Sequence, residues 1–80
     1  MRDDDILARL VPIFREELDD QRLDLSLGTS QKDLAGWDSL AQVRLVAAIE
    51  SEFGFQFSID EIESTSSVRG FVEGIRKRSA

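Results

Sequence analysis

Three stretches of this 80-residue chain repeat their apolar residues with the period of an α-helix, and only one alternates as a strand would. A lone strand leaves its backbone groups unpaired, so the pattern commits the chain to helices. In DDDILARLVPIFREEL, Ile6, Leu10, Phe14 and Leu18 share one face, which Leu7 and Val11 widen. Asp3, Asp4 and Asp5 offer an N-cap and suit the positive end of the helix dipole. Pro12 falls inside this stripe, which passes through it, so a kinked helix is expected rather than one that starts there. In STSSVRGFVEGIRKR, Val68, Phe71, Val72 and Ile75 fall at i, i+3, i+4 and i+7 behind a cap at Thr65 to Ser67. Arg76, Lys77 and Arg78 suit the negative end of that helix, which accounts for the basic cluster better than nucleic-acid binding does.

The alternating stretch is EFGFQFSIDEIE, with Phe53, Phe55, Phe57 and Ile59 two apart. Without a partner strand, these phenylalanines are expected to anchor a loop, and Ser58 with Glu61 forms the capping box of a short helix. Between Asp19 and Trp37 no period is sustained; Gly28, Thr29, Ser30 and Gly36 mark a long loop that Leu23, Leu25, Leu27 and Leu34 pin down. Long ordered loops in small domains usually serve a function. The expected fold is all-α: one domain over residues 1–80, a four-helix bundle with a long loop between helices one and two and a short third helix.

Composition narrows what such a bundle can do. A chain of this length buries only about 60% of its unfolded surface, which leaves little room for an enclosed active site. It has no cysteine and no histidine, hence no disulfide framework, no thiolate metal site and no imidazole base. No catalytic residue and no metal ligand set is assigned. The N-terminal apolar run is too short and too acidic for a signal peptide or a membrane span, so a cytoplasmic protein without membrane insertion is expected. A net charge of −6 argues against nucleic acid as a partner and favours positively charged protein surfaces.

The remaining helix follows the motif GWDSL. At roughly 100° per residue, Leu45, Val46, Ile49 and Phe53 fall in one arc and face the core. Leu40, Val43 and Ala47 fall on the opposite side beside Arg44, an apolar stripe that the domain cannot bury at the same time. Gln42 lands inside the core arc, where periodicity gives no reason for it. Ser39 opens this helix. As a hydrolytic nucleophile it lacks a histidine base, which makes the likeness of WDSL to the G-D-S-L esterase signature a chance one. Two readings remain: a cap, since Asp38 and Ser39 are good N-cap types and Ser39 with Gln42 fits S-x-x-Q, or an attachment site whose added phosphate meets a helix N-terminus.

Over essentially its whole length the chain resembles an acyl carrier protein: a first helix, a long loop, GWDSL opening the second helix, AAIESEFGFQFS closing it, a short third helix, and TSSVRGFVEGI as the fourth. The resemblance implies that a phosphopantetheinyl transferase uses coenzyme A to modify Ser39, and that the thiol of the arm carries acyl groups as thioesters. The absence of cysteine then has a reason, because the prosthetic group supplies the thiol. It further implies that Asp38 helps position the transferase metal and the serine, and that Leu40, Val43, Arg44 and Ala47 form the surface met by acyl-loading and acyl-processing enzymes. The carrier is expected to be a monomer and no enzyme: it contributes a tethered, high effective concentration of cargo.

Departures from the family pattern bear on the pathway. Ala41 and Arg44 stand where fatty-acid carriers often have acids, and Ser51 dilutes the later acidic cluster, which favours a dedicated polyketide-type or other specialised acyl-transfer role. A fatty-acid carrier, an aminoacyl or peptidyl carrier, and an unmodified helical interaction module are the alternatives. An acyl chain could enter between Val46, Ile49, Phe71 and Ile75, but the phenylalanines of 53–57 favour an ordinary packed core there.

Overall fold

The computed structural model describes residues 2–78. Four helices follow in order: α1 (Asp3–Glu17), α2 (Ser39–Phe53), α3 (Ile59–Glu63) and α4 (Val68–Arg78), with one 3₁₀ turn, Gln31–Asp33, in the long loop. Among the described residues the only β-type pairing is an isolated antiparallel bridge between Ser30 and Ser67. The all-α expectation and the four-helix order are both met.

α1 presents Ile6, Leu10 and Phe14 to the core, and all three are fully buried. It runs through Pro12 rather than starting there. Pro12 and Ala8 are both exposed, so the carbonyl that loses its donor can be hydrated. The acidic trio does not cap it: Arg2 holds the N-cap position without a side-chain bond, and Asp3 to Asp5 form the first turn. Asp3 instead accepts from Arg76 of α4 at 2.7 and 2.9 Å, which joins the start of the chain to its end. At the other end Asp19 takes φ 52°, a conformation that aspartate tolerates, and the amides of Asp19 and Asp20 close on the carbonyls of Glu16 and Arg15.

The long loop is held by side chains and by backbone. Leu23 is buried, and Leu25, Leu27 and Leu34 are half-buried against the core, as the sequence implies. The Gln31 amide donates to Ser66 O (2.8 Å) and the Val68 amide to Thr29 O (2.9 Å), tying the loop to the start of α4. Trp37, which no periodicity marks, is 3% exposed. Its ring lies edge-on to Phe14 at 5.1 Å and stacks on Phe71 at 6.3 Å, with Phe14 and Phe71 also edge-on at 5.9 Å. Phe57 closes the cluster 5.8 Å from Phe71. Rings therefore surround Phe71, and Ile49 and Ile75 are buried with it, so the interior between α2 and α4 is packed with side chains.

Beyond α2, Gly54 takes φ 75° and ends the helix, its amide bonded to Glu50 O at 2.8 Å. Phe55 and Phe57 then anchor the connection, edge-on at 4.8 Å. Ser58 and Glu61 form the expected capping box on α3, and Ser67 Oγ accepts from Gly70 N at 3.3 Å in the first turn of α4.

Arg78 does more than suit a dipole. It donates to Glu61 at 2.5 and 2.8 Å, to Gln56 O at 3.2 Å, and lies 4.4 Å over the Phe55 ring. The Arg78 guanidinium, then the Ser58 amide, hold the Glu61 carboxyl down at about 2 instead of 4.5. Because the folded value lies below the ordinary one, this contribution to stability is complete above pH 4.5 and is lost as pH falls toward about 2. In urea titrations the midpoint difference between the wild type and Glu61→Gln is expected to be largest near neutrality and to shrink through that window. A difference that does not vary with pH would contradict this assignment.

Candidate functional site

The turn before α2 is built by short-range bonds. The Trp37 amide donates to Leu34 O (3.0 Å) and the Asp38 amide to Gly36 O (3.1 Å), which delivers Asp38 in extended backbone at the N-cap. Asp38 Oδ1 accepts from the Ala41 amide at 2.8 Å, and Asp38 O accepts the first helical bond, from Gln42 N at 2.9 Å. Ser39 is thus the first helical residue and not the cap; it is exposed, and its hydroxyl takes no part in the capping. The S-x-x-Q reading fails because Gln42 is turned inward to other partners.

Those partners explain why a glutamine occupies the core arc. Gln42 Oε1 accepts from the Trp37 indole Nε1 at 2.6 Å, and Gln42 Nε2 donates to Thr65 Oγ1 at 2.7 Å and to Thr65 O at 3.2 Å. Thr65 is fully buried, and its hydroxyl donates to Ile62 O at 2.6 Å. Among the described residues no buried side-chain polar atom lacks a partner. Thr65 therefore satisfies a buried network, while Ser67 is the residue that caps α4.

The two faces of α2 separate as its periodicity implies. Ala41, Leu45 and Ile49 are buried, with Val46 and Phe53 half-buried against the core. On the other side Leu40 is 72% and Val43 68% exposed, and Arg44 and Ala47 are exposed beside them. Ala41 belongs to the interior, so the acid it lacks is a matter of packing and not of partner charge. Arg44 is not isolated: it lies 3.6 Å from the Glu17 carboxylate at the end of α1. The acids late in α2 serve the fold, with Glu50 accepting from Phe57 N at 2.8 Å and Glu52 paired to Arg9 at 2.8 Å.

Sequence reasoning missed Ile59 and Ile62, which are 78% and 37% exposed on α3. Counting from the Ser58 cap finds the signal: three residues apart, the two isoleucines share one face of the helix that Ser58 opens, whereas alternation read as a strand groups Ile59 with Phe53, Phe55 and Phe57 instead. Among the described residues no helix is long and apolar enough to cross a membrane.

A family model described as a phosphopantetheine attachment site matches residues 8–75. The chain belongs to this phosphopantetheine-attachment family, that of the acyl carrier proteins. As an acyl carrier it is 32% identical over 74 residues to the acyl carrier proteins of Buchnera aphidicola subsp. Acyrthosiphon pisum, strains Tuc7 and APS, with 92% of each chain covered. Its fold is similar to the solution NMR structure of a holo acyl carrier protein from Geobacter metallireducens, with a TM-score of 0.84, 30% identity, and coverage of 91% of this chain and 84% of that one. The family's cofactor is covalently attached phosphopantetheine, and the carrier's place in metabolism is to hold acyl groups for other enzymes.

Proposed function

We propose that residues 1–80 form one carrier domain in which Ser39 is the attachment point of phosphopantetheine. The observation that carries this reading is the division of labour at α2: Asp38 caps the helix, which leaves the exposed Ser39 hydroxyl at its first residue free of structural duty. A phosphate on that oxygen meets the positive end of the α2 dipole. Modification forms a phosphodiester between Ser39 Oγ and the pantetheine phosphate of coenzyme A, with adenosine bisphosphate leaving and the hydroxyl proton passing to the transferase. The attached arm supplies a thiol that holds acyl groups as thioesters. The bond from Ala41 N to Oδ1 fixes the Asp38 carboxylate beside the serine, where it can meet a transferase metal.

The protein itself acts as a monomeric cytoplasmic carrier and not as an enzyme; barrier lowering falls to its partners, and the carrier contributes proximity. Those partners are the transferase and acyl-loading and acyl-processing enzymes, and their contact surface is Leu40, Val43, Arg44 and Ala47. Arg44 in place of an acid favours a dedicated, polyketide-type or other specialised pathway. The deciding experiment is intact mass after incubation with coenzyme A and a broad-specificity transferase. A gain of one phosphopantetheine supports the reading, and a folded protein left unmodified by several transferases points to a plain interaction module.

The stripe gives a second expected result. Val43→Asp changes an exposed position and is expected to leave the denaturant midpoint nearly unchanged while slowing acyl transfer to partners. Ile49→Ala empties a fully buried position and is expected to cost about 2–5 kcal/mol. Paired midpoints and transfer rates per folded molecule check this; equal destabilisation with normal transfer would refute it. In the same assay Arg44→Glu is expected to weaken cognate transfer and improve recognition by fatty-acid enzymes.

A further inference from the structure

α3 is a helix that buries none of its five residues. Packing alone therefore does not set its position, and polar bonds from its middle and its C-terminal end contribute to it. One is the pair between Glu61 and Arg78, which joins α3 to the last turn of α4. A second runs inward, to the Ile62 carbonyl, which also accepts from the Thr65 amide at 3.1 Å. The Trp37 indole N–H donates to Gln42 Oε1, Gln42 Nε2 donates to Thr65 Oγ1, and that hydroxyl donates to Ile62 O, each over 2.6–2.7 Å. Every group in the series has one orientation that satisfies it: the indole only donates, the carboxamide accepts at one end and donates at the other, and the hydroxyl does both. Trp37 and Thr65 are buried and Gln42 is half-buried, so the series is largely shielded from water. It begins two residues before Ser39 and ends on α3.

We propose that Gln42 is a positioning residue: its carboxamide sets the placement of α3 relative to the Ser39 turn, so that the serine and the exposed side chains of α3 meet an incoming enzyme as one surface. Ile59 and Ile62 lie on α3, and Leu40 follows Ser39 directly. The role in transfer rests on the reading of Ser39 as the modified residue; the placement of α3 does not. Leu in place of Gln42 orphans the indole N–H and leaves the Thr65 carbonyl without its donor. Glu keeps an acceptor for Trp37 but turns a second acceptor toward Thr65 O, so it is expected to behave like Leu and not like the wild type.

The test uses the full chain in four forms: wild type, Gln42→Leu, Thr65→Val and the double variant. Amide residual dipolar couplings of the unmodified proteins report the orientation of α3 against α2, and are expected to change for α3 alone in each variant. With coenzyme A and a transferase, KM for the protein is expected to rise about tenfold in either single variant, with kcat within about twofold, as expected for one lost buried polar connection. The double variant is expected to be no worse than the worse single one, because both break the same series. Thr65→Ser, which keeps the hydroxyl, is expected to retain wild-type couplings and KM. Should Gln42→Leu fail to fold, the shape-matched Thr65→Val and its serine control decide the matter. Unchanged α3 couplings, or an unchanged KM beside a lowered denaturant midpoint, would overturn the inference. If the wild type takes up no phosphopantetheine, the Ser39 reading fails and the couplings alone judge the placement of α3.

Discussion

Ser39→Ala is expected to abolish the uptake of phosphopantetheine entirely while leaving the fold and its stability almost untouched. The second half of that expectation comes from the structure. Had Ser39 been the cap, its loss would cost about 0.5–2 kcal/mol and confuse a loss of modification with a loss of folding. The cap is Asp38, whose Oδ1 takes the Ala41 amide, so an exposed Ser39 side chain can be truncated within about 0.5 kcal/mol. Asp38→Ala is then the informative companion. It removes the cap and should lower the urea midpoint, and it should also slow modification if its carboxylate meets the transferase metal. Intact mass and circular dichroism on the three proteins separate the two residues. A Ser39→Ala protein that still gains the group would mean that another hydroxyl is the site.

Gly70→Ala is expected to destabilise the domain severely, although the residue sits inside a helix, where alanine is the better former by about 1 kcal/mol. A methyl group at Gly70 would overlap the carbonyl oxygen of Ser64 and stand 3.2 Å from the Cα of Thr65. Both obstacles are backbone, in the segment that carries the Thr65 network, so no flexible side chain can move aside. Overpacking of this kind costs about 1–3 kcal/mol or more, which outweighs the gain in propensity and is a large share of what so small a domain has. It should also disturb the Gln42 bonds to Thr65 and shift the Trp37 environment, which fluorescence reads directly. A raised midpoint would mean that α4 and the Ser64–Thr65 backbone do not approach as closely as described.

The Gly70 case shows where one-dimensional reasoning stops. Helical periodicity carried the three long helices, because each buries one face and the spacing of Ile6, Leu10 and Phe14, of Leu45 and Ile49, and of Val68, Phe71, Val72 and Ile75 records that face directly. Local capping chemistry likewise placed α3 behind Ser58, since a capping box spans only four residues. The exposed side of α2 was legible for the same reason, as the complement of its buried arc. The candidate attachment residue was legible as well, but through the Asp38-Ser39-Leu40 triplet and the order of features around it rather than through any physical demand.

What only the tertiary structure decided are pairings between residues far apart in the chain. Gln42 has no reason to face the core in its own helix; the reason is Thr65, 23 positions away, which takes its amide protons. The acids at the start of α1 form its first turn behind Arg2, and Asp3 is paired with Arg76 from the far end of the chain, while Ala41 stands in the core and not on the surface. Trp37 carries no periodic signal because a single ring in a loop has no neighbours in sequence to repeat with; its burial follows from Phe14 and Phe71, brought beside it by two different helices. Period and capping are properties of a few consecutive residues and can be read along the chain. A buried hydrogen bond or a close backbone approach exists only once the helices have packed, so the chain alone determined its helices and its candidate serine, and packing determined what holds them in place.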